Sequence, residues 1–190
     1  MRVLAISGSL RSGAYSTRLA EAAADLLPAE AVLELYGGLA SIPNYDQDVE
    51  DVAAPEAVED LRQRIDEADA LLVVTPEYNA SIPGGLKNAI DWASRPHGES
   101  ALAGKPAAIV SNSPAPFGGV WANQQIRKAF TITGSPTVET ELAIGKVDQK
   151  VAEDGSITDE QTRAQIRSLL NELRELVEAT DKLKLEEAAA

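Results

Sequence analysis

Val3-Leu4-Ala5-Ile6-Ser7-Gly8-Ser9-Leu10-Arg11-Ser12-Gly13-Ala14-Tyr15-Ser16-Thr17 opens as a short apolar strand and empties into a loop of glycine, hydroxyls and one arginine. A helix begins at once, with Leu19, Ala22, Ala23 and Leu26 on one face. A strand, a small-residue loop and a helix N-terminus form a cradle for an anion, because backbone N–H groups point into the loop and the helix dipole favours negative charge there. Hydroxyls add neutral donors and Arg11 a charged one. The loop is neither G-x-G-x-x-G nor G-x-x-x-x-G-K-[ST], which argues against a standard dinucleotide or Walker ATP site. This segment alone is compatible with a phosphate site and with an ordinary polar turn.

The same alternation of strand and helix runs along the chain. Strands are predicted at 2–7, 31–35, 70–75, 106–112 and 136–142, and helices at about 15–27, 55–68, 84–95, 119–131 and 158–183. The third and fourth strands are continuous apolar runs, the signature of strands buried on both faces. The last helix carries a capping box, Thr158 to Gln161, and a stripe of Ile166, Leu169, Leu170, Leu173, Leu176 and Val177 expected to pack in the core. Five strands separated by helices imply a doubly wound parallel α/β sheet forming one domain over 1–183, with 184–190 as a frayed tail. Right-handed crossovers then bring loops 7–16, 36–54, 76–83 and 112–118 to one edge, where a ligand crevice is expected.

Composition narrows the function. The chain has 190 residues, 44% hydrophobic and 25% charged, which suits a core of ordinary size. It has no cysteine and one histidine, so disulfides, thiol catalysis and multi-histidine metal sites are excluded. No apolar run approaches a membrane span, no signal peptide is expected at Met1-Arg2, and a reduced, cytoplasmic setting fits. A net charge of −13 disfavours nucleic acid and anionic membrane as partners. Yet residues 1–20 hold Arg2, Arg11 and Arg18 and residues 100–138 hold Lys105, Arg127 and Lys128, both windows without a carboxylate. Protection of an anion site and plain strand composition both account for that.

The third loop, Thr75-Pro76-Glu77-Tyr78-Asn79-Ala80-Ser81-Ile82-Pro83-Gly84-Gly85, begins where the most apolar strand stops. Two prolines stiffen it, and its backbone groups and Tyr78 suit the edge and face of a flat heteroaromatic ring. A proline-rich turn with Tyr78 packed on the next helix is the competing reading. The fourth loop, Ser111-Asn112-Ser113-Pro114-Ala115-Pro116-Phe117-Gly118-Gly119, repeats the design, and its glycines permit close approach of a ligand or another backbone. The acidic second loop, 42–50, is a candidate lid or partner surface. No Ser-His-Asp relay and no G-x-S-x-G occur, His97 sits in a predicted loop, and Lys87 with Asp91 forms an i, i+4 pair. With no catalytic side chain evident and no metal cluster, a bound cofactor is expected to carry the chemistry.

Together the loops resemble the NADPH-dependent FMN reductase family, a flavodoxin-like group of quinone, chromate and azo-compound reductases. The matching stretches are I-S-G-S-L-R-S-G at 6–13, L-x-x-I-P-x-Y-D-Q-D-V-E at 39–50, P-E-Y-N-x-S-I-P-G-x-L-K-N-A-I-D-W-A-S-R-P at 76–96, S-P-x-x-F-G-G at 113–119 and E-D-G-x-I-T-D-E-x-T at 153–162. The resemblance implies a sheet in the order 2-1-3-4-5 with helices on both faces. It implies FMN, with Ser9, Arg11, Ser16 and Thr17 at the phosphate, Pro76, Glu77, Tyr78 and Asn79 at the isoalloxazine edge, and Ser113 in a third wall. The chain departs from the family's usual G-S-x-N: Ala14 stands for the serine and Ser16 for the asparagine.

The activity implied is a hydride relay from NADPH (or NADH) through flavin N5 to a small-molecule electron acceptor such as a quinone, azo compound, metal oxyanion or free flavin. Arg95, Lys87 and Arg127 are the candidate partners for a 2′-phosphate. The resemblance also implies a homodimer or homotetramer, with 36–54 and the helix from Gly84 as contact regions. The alternative is a flavodoxin-like FMN electron carrier without pyridine-nucleotide turnover, against which the P-E-Y-N and K-N-A-I-D-W stretches count.

Overall fold

The first strand, β1 (Arg2–Ser7), is an interior strand of the sheet, with Val3 to Ile6 buried on both faces. The computed structural model describes residues 1–188. β1 pairs in parallel with β2 (Val32–Leu35) on one side and β3 (Ala70–Pro76) on the other; β4 (Ala107–Ser113) and β5 (Leu142–Gly145) follow, giving one parallel sheet in the order β2-β1-β3-β4-β5. The three interior strands are the uniform apolar runs, whereas the edge strands β2 and β5 bury only alternate residues more deeply. Burial on both faces selects the first pattern and partial cover the second.

Side-chain alternation divides the core. Leu4, Ile6, Leu71, Val73 and Ile109 face α3 (Glu56–Glu67), α4 (Gly84–Ala93) and α5 (Val120–Thr133). Val3, Ala5, Leu72, Val74 and Val110 face α1 (Tyr15–Ala22) and α6 (Glu160–Ala188). The short α2 (Gln47–Glu50) stands in the second loop. Because β1 leads to α1 on one face and β3 to α4 on the other, the loops after these neighbouring strands part company. A crevice opens between them at the carboxyl edge, the switch point of the sheet.

Three sequence expectations shift. β5 lies at Leu142–Gly145, not at 136–142. Residues 136–138 touch β4 only through Pro136, Thr137 and Val138 beside Ala107, and the carbonyls of Val138 and Thr140 turn to the Arg127 guanidinium instead of a ladder. The predicted first helix tightens into a 3₁₀ turn at Ala23–Leu26. The last helix is capped by Asp159, whose carboxylate accepts from the backbone N–H (2.8 Å) and hydroxyl (2.6 Å) of Thr162, while Thr158 bonds back to the Lys150 carbonyl. Its stripe is buried as expected, from Ile166 to Leu173. Residues 184–188 continue that helix; Ala189 and Ala190, the rest of the tail expected to fray, lie outside the described residues. Among the described residues no helix is long and apolar enough to cross a membrane.

Candidate active site

The first loop leaves β1 by leaning on β3. Gly8 N–H donates to the Val74 carbonyl (2.8 Å), and a Cβ at Gly8 would lie 2.4 Å from Thr75 Oγ1 and 2.9 Å from a Leu86 methyl. Only glycine allows that approach. The loop then turns on itself through Arg11 N–H to Ser9 Oγ (3.3 Å) and Ala14 N–H to the Arg11 carbonyl (3.2 Å), with Gly13 at φ +65°. It delivers the chain to α1 with Ala14 as N-cap, which offers no side-chain acceptor, and no acid stands in the first turn. The leading N–H groups of α1 thus face the crevice without a carboxylate of the protein's own. Arg11 beside them makes only long contacts (3.4 Å) to the Ser12 and Gly13 carbonyls.

An open cleft of about 200 Å³ lies there, lined by Ser9, Arg11, Ser16, Pro76, Glu77, Tyr78 and Ser113 of the expected set. Ala14, Tyr15, Asn112 and Pro114 complete the lining. Thr17 is not part of the lining; its hydroxyl lies 2.9 Å from Ser7 Oγ and secures the base of the loop. Asn79 is also outside it, at the tip of a two-residue hairpin turn with Ala80. Both take positive φ (51° and 57°), and Tyr78 and Ser81 exchange backbone hydrogen bonds of 3.1 Å.

Loop three is fastened to α5. One oxygen of Glu77 accepts from the N–H groups of Trp121 (2.9 Å) and Ala122 (3.1 Å), so this carboxylate caps α5 while the residue lines the cleft. Gln125, one turn on, donates to the Ala80 carbonyl (2.9 Å) and accepts from Ser81 Oγ (2.8 Å). The Tyr78 hydroxyl lies 3.4 Å from Ser9 Oγ, joining loops one and three, and its ring is half exposed instead of packed on α4. In loop four the glycines serve a backbone contact. A Cβ on Gly118 would lie 2.6 Å from the Ala143 carbonyl carbon, and one on Gly145 2.1 Å from the Pro116 oxygen. Phe117 and Trp121, both largely exposed, stand 6.3 Å apart just beyond.

Loop two is bolted down, which favours the partner-surface reading over the lid. Glu50, with its side chain 8% exposed, meets Arg62 (3.0 Å), Arg95 (2.9 Å) and the Tyr45 hydroxyl (3.0 Å). Burial pushes its carboxyl up, but the hydrogen bonds from Arg95, Tyr45 and Arg62 outweigh that and hold it below the usual carboxylate range. Trp92 and Asn88 of α4 both donate to the Pro43 carbonyl (2.8 Å each). The three cations considered for a 2′-phosphate are therefore engaged: Arg95 with Glu50, Lys87 with Asp91 at 2.5 Å, and Arg127 with the 137–140 backbone.

The sequence reading missed Asn112. It is a buried polar residue at the penultimate position of an apolar strand, and that position was its only signal. Among the described residues no cluster of His, Asp or Glu is placed to hold a metal ion.

Residues fit for FMN are present at the cleft: an uncapped helix start for a phosphate, neutral hydroxyls, a cation without a carboxylate partner among the described residues, and a stiff hairpin beside them. A parallel sheet in this order with such a cradle at its switch point defines the flavodoxin-like class. Comparison with known proteins refines this. The sequence pattern of the family described as NADPH-dependent FMN reductase matches residues 1–149, and the chain belongs to that family. It is 41% identical over 175 residues to an NAD(P)H-dependent FMN reductase of Pseudomonas aeruginosa, covering 92% of this chain and 94% of that one. It is 40% identical over 158 residues to a quinone reductase of Pseudomonas putida, covering 83% and 84%. Among solved structures, the flavoenzyme NAD(P)H:acceptor oxidoreductase FerB of Paracoccus denitrificans superposes with a TM-score of 0.85 at 33% identity, over 94% of this chain and 98% of that one. The protein is thus an oxidoreductase that uses FMN and NAD(P)H.

Proposed function

We propose that the cleft holds FMN with its phosphate at the start of α1 and its ring along loop three, and that the acceptor is a quinone or a similar small oxidant. The observation that carries this reading is the convergence of Ser9, Arg11, Ser16, Pro76, Glu77, Tyr78 and Ser113 on one cleft at the sheet's switch point. Ser9 and Ser16 donate hydroxyl hydrogens to the phosphate, Arg11 adds a charge-assisted bond, and the α1 N–H groups complete the cradle. Thr17 supports Ser7 beneath it. Pro76 and the Tyr78–Ser81 hairpin offer fixed backbone groups to the ring edge, with Asn79 at the turn, and Ser113 stands on the opposite wall. When bound, FMN would supply the redox chemistry between the nicotinamide and the acceptor. No side chain of the cleft is assigned a proton-transfer role. The names of the relatives support the quinone class.

The same reading takes residues 1–183 as one domain of a cytoplasmic homodimer or homotetramer, with loop 36–54 and α4 as contact regions. The rigid anchoring of that loop by Glu50 and Pro43 suits a contact surface. The test is direct. Purified protein should be yellow, lose its visible flavin absorbance on anaerobic addition of NADPH, and regain it with benzoquinone. Protein that takes up FMN but is not bleached by NADPH or NADH would support the electron-carrier alternative instead.

A further inference from the structure

Asn112, the penultimate residue of β4, is 3% exposed and lines the cleft. Its amide nitrogen donates to Ser16 Oγ at 2.9 Å and to the Thr75 carbonyl at 3.1 Å. A carbonyl can only accept, so Thr75 dictates which end of the amide faces this way. Ser16 Oγ therefore receives a hydrogen bond from Asn112. Its own hydrogen has no acceptor among the hydrogen bonds of the described residues. Ser16 is 1% exposed and lines the cleft, so that hydrogen has one useful direction, into the space beside the α1 N-terminus.

We propose that Asn112 is the positioning residue for the phosphate of FMN, aligning Ser16 as a donor and standing in for the asparagine that the family's G-S-x-N pattern carries at position 16. The amide lost from the helix is supplied by a strand 96 positions later in the chain. A lone serine hydroxyl rotates among several staggered directions, whereas one that accepts from a fixed amide is held with its hydrogen outward. The shorter side chain at 16 leaves the space that the amide from β4 fills. Position 16 and position 112 thus form one unit, in which an amide and a hydroxyl are required but their order is exchangeable. This rests on the reading of the cleft as the FMN site.

The experiment titrates flavin-stripped protein with FMN and, separately, with riboflavin, following flavin fluorescence, while thermal melting of each stripped variant monitors the fold. Asn112→Ala is expected to weaken FMN about tenfold, the value of one aligned donor to a charged group, and riboflavin by less than about twofold. Asn112→Ser and Ser16→Asn should each weaken FMN, the first guarding against a cavity effect of the alanine. The double variant Ser16→Asn/Asn112→Ser should return FMN affinity to within about threefold of wild type. Equal loss for FMN and riboflavin, unchanged FMN affinity in the single variants, or a double variant no better than the sum of its parts would each overturn the proposal. Wild-type protein that binds neither flavin would overturn the cleft reading itself, and this proposal with it.

Discussion

Two helices begin at the rim of the cleft, and they are finished in opposite ways. α5 starts beneath the carboxylate of Glu77, which accepts from its first N–H groups across a sequence separation of 44. α1 starts at Ala14, with no side-chain cap and no acid in its first turn. Both ends carry the same partial positive charge from aligned peptides. One is neutralised internally, so the protein completes that wall by itself. The other has no acceptor of the protein's own, and in the proposed reading the phosphate of FMN takes that place beside Arg11. Within a chain of net charge −13, the first turn of α1 holds no carboxylate while Glu77 is set on α5, and in the proposed reading the first is the ligand end and the second a structural one.

The sharpest way to break this contrast is to give α1 a cap of its own. Ala14→Asp should raise the melting temperature of the flavin-stripped protein by about 2 °C. It should weaken FMN at least 100-fold, roughly 2.7 kcal/mol, because the new carboxylate occupies the same donors and repels the phosphate. Unaltered FMN affinity in that variant would remove the distinction between the two ends. Glu50→Gln supplies a control far from both. Loss of the charge that faces Arg62 and Arg95 should cost about 2 kcal/mol, read as a melting point lower by about 5 °C, with FMN affinity preserved. Because the folded-state pKa of Glu50 is depressed, its contribution is complete above the ordinary value of 4.5 and is lost as pH falls through the folded value. The acid limb of the wild-type stability curve should therefore be steeper than that of Glu50→Gln.

Arg11→Ala should weaken FMN about tenfold and leave the melting point of stripped protein within about 1 °C, since it makes only long contacts within its own loop. A fall in stability without loss of FMN would move Arg11 from the ligand to the fold. The smallest effect belongs to the self-sufficient end. Glu77→Gln should lower stability by about 1 kcal/mol, since an amide oxygen is a weaker acceptor at a helix start than a carboxylate. Differential scanning calorimetry on stripped protein measures it.

What could be read in advance follows the range of the interactions involved. β1, β3 and β4 were legible because burial on both faces writes itself as an unbroken apolar run. β5 was displaced because Pro136 to Val138 imitates a strand, and the side chain that diverts it, Arg127, belongs to α5. The cap of α6 was misread by one residue, since Thr158 and Asp159 are equally good acceptors and only the local turn chooses Asp159. In the cleft, Ser9, Arg11 and Ser16 announced themselves by lying in one loop. Glu77 as a cap, Glu50 as the pin of loop two, and Asn112 as the partner of Ser16 depend on contacts between distant segments, which no local pattern encodes.

The contact between Gly118 and Gly145 has a dynamic consequence. With the chain near Pro116 pressed against β5 so closely that neither position accommodates a methyl group, the fourth loop has no room to swing. The fourth loop is thereby a fixed wall of the cleft, and a methyl group at position 118 or 145 would have to displace it.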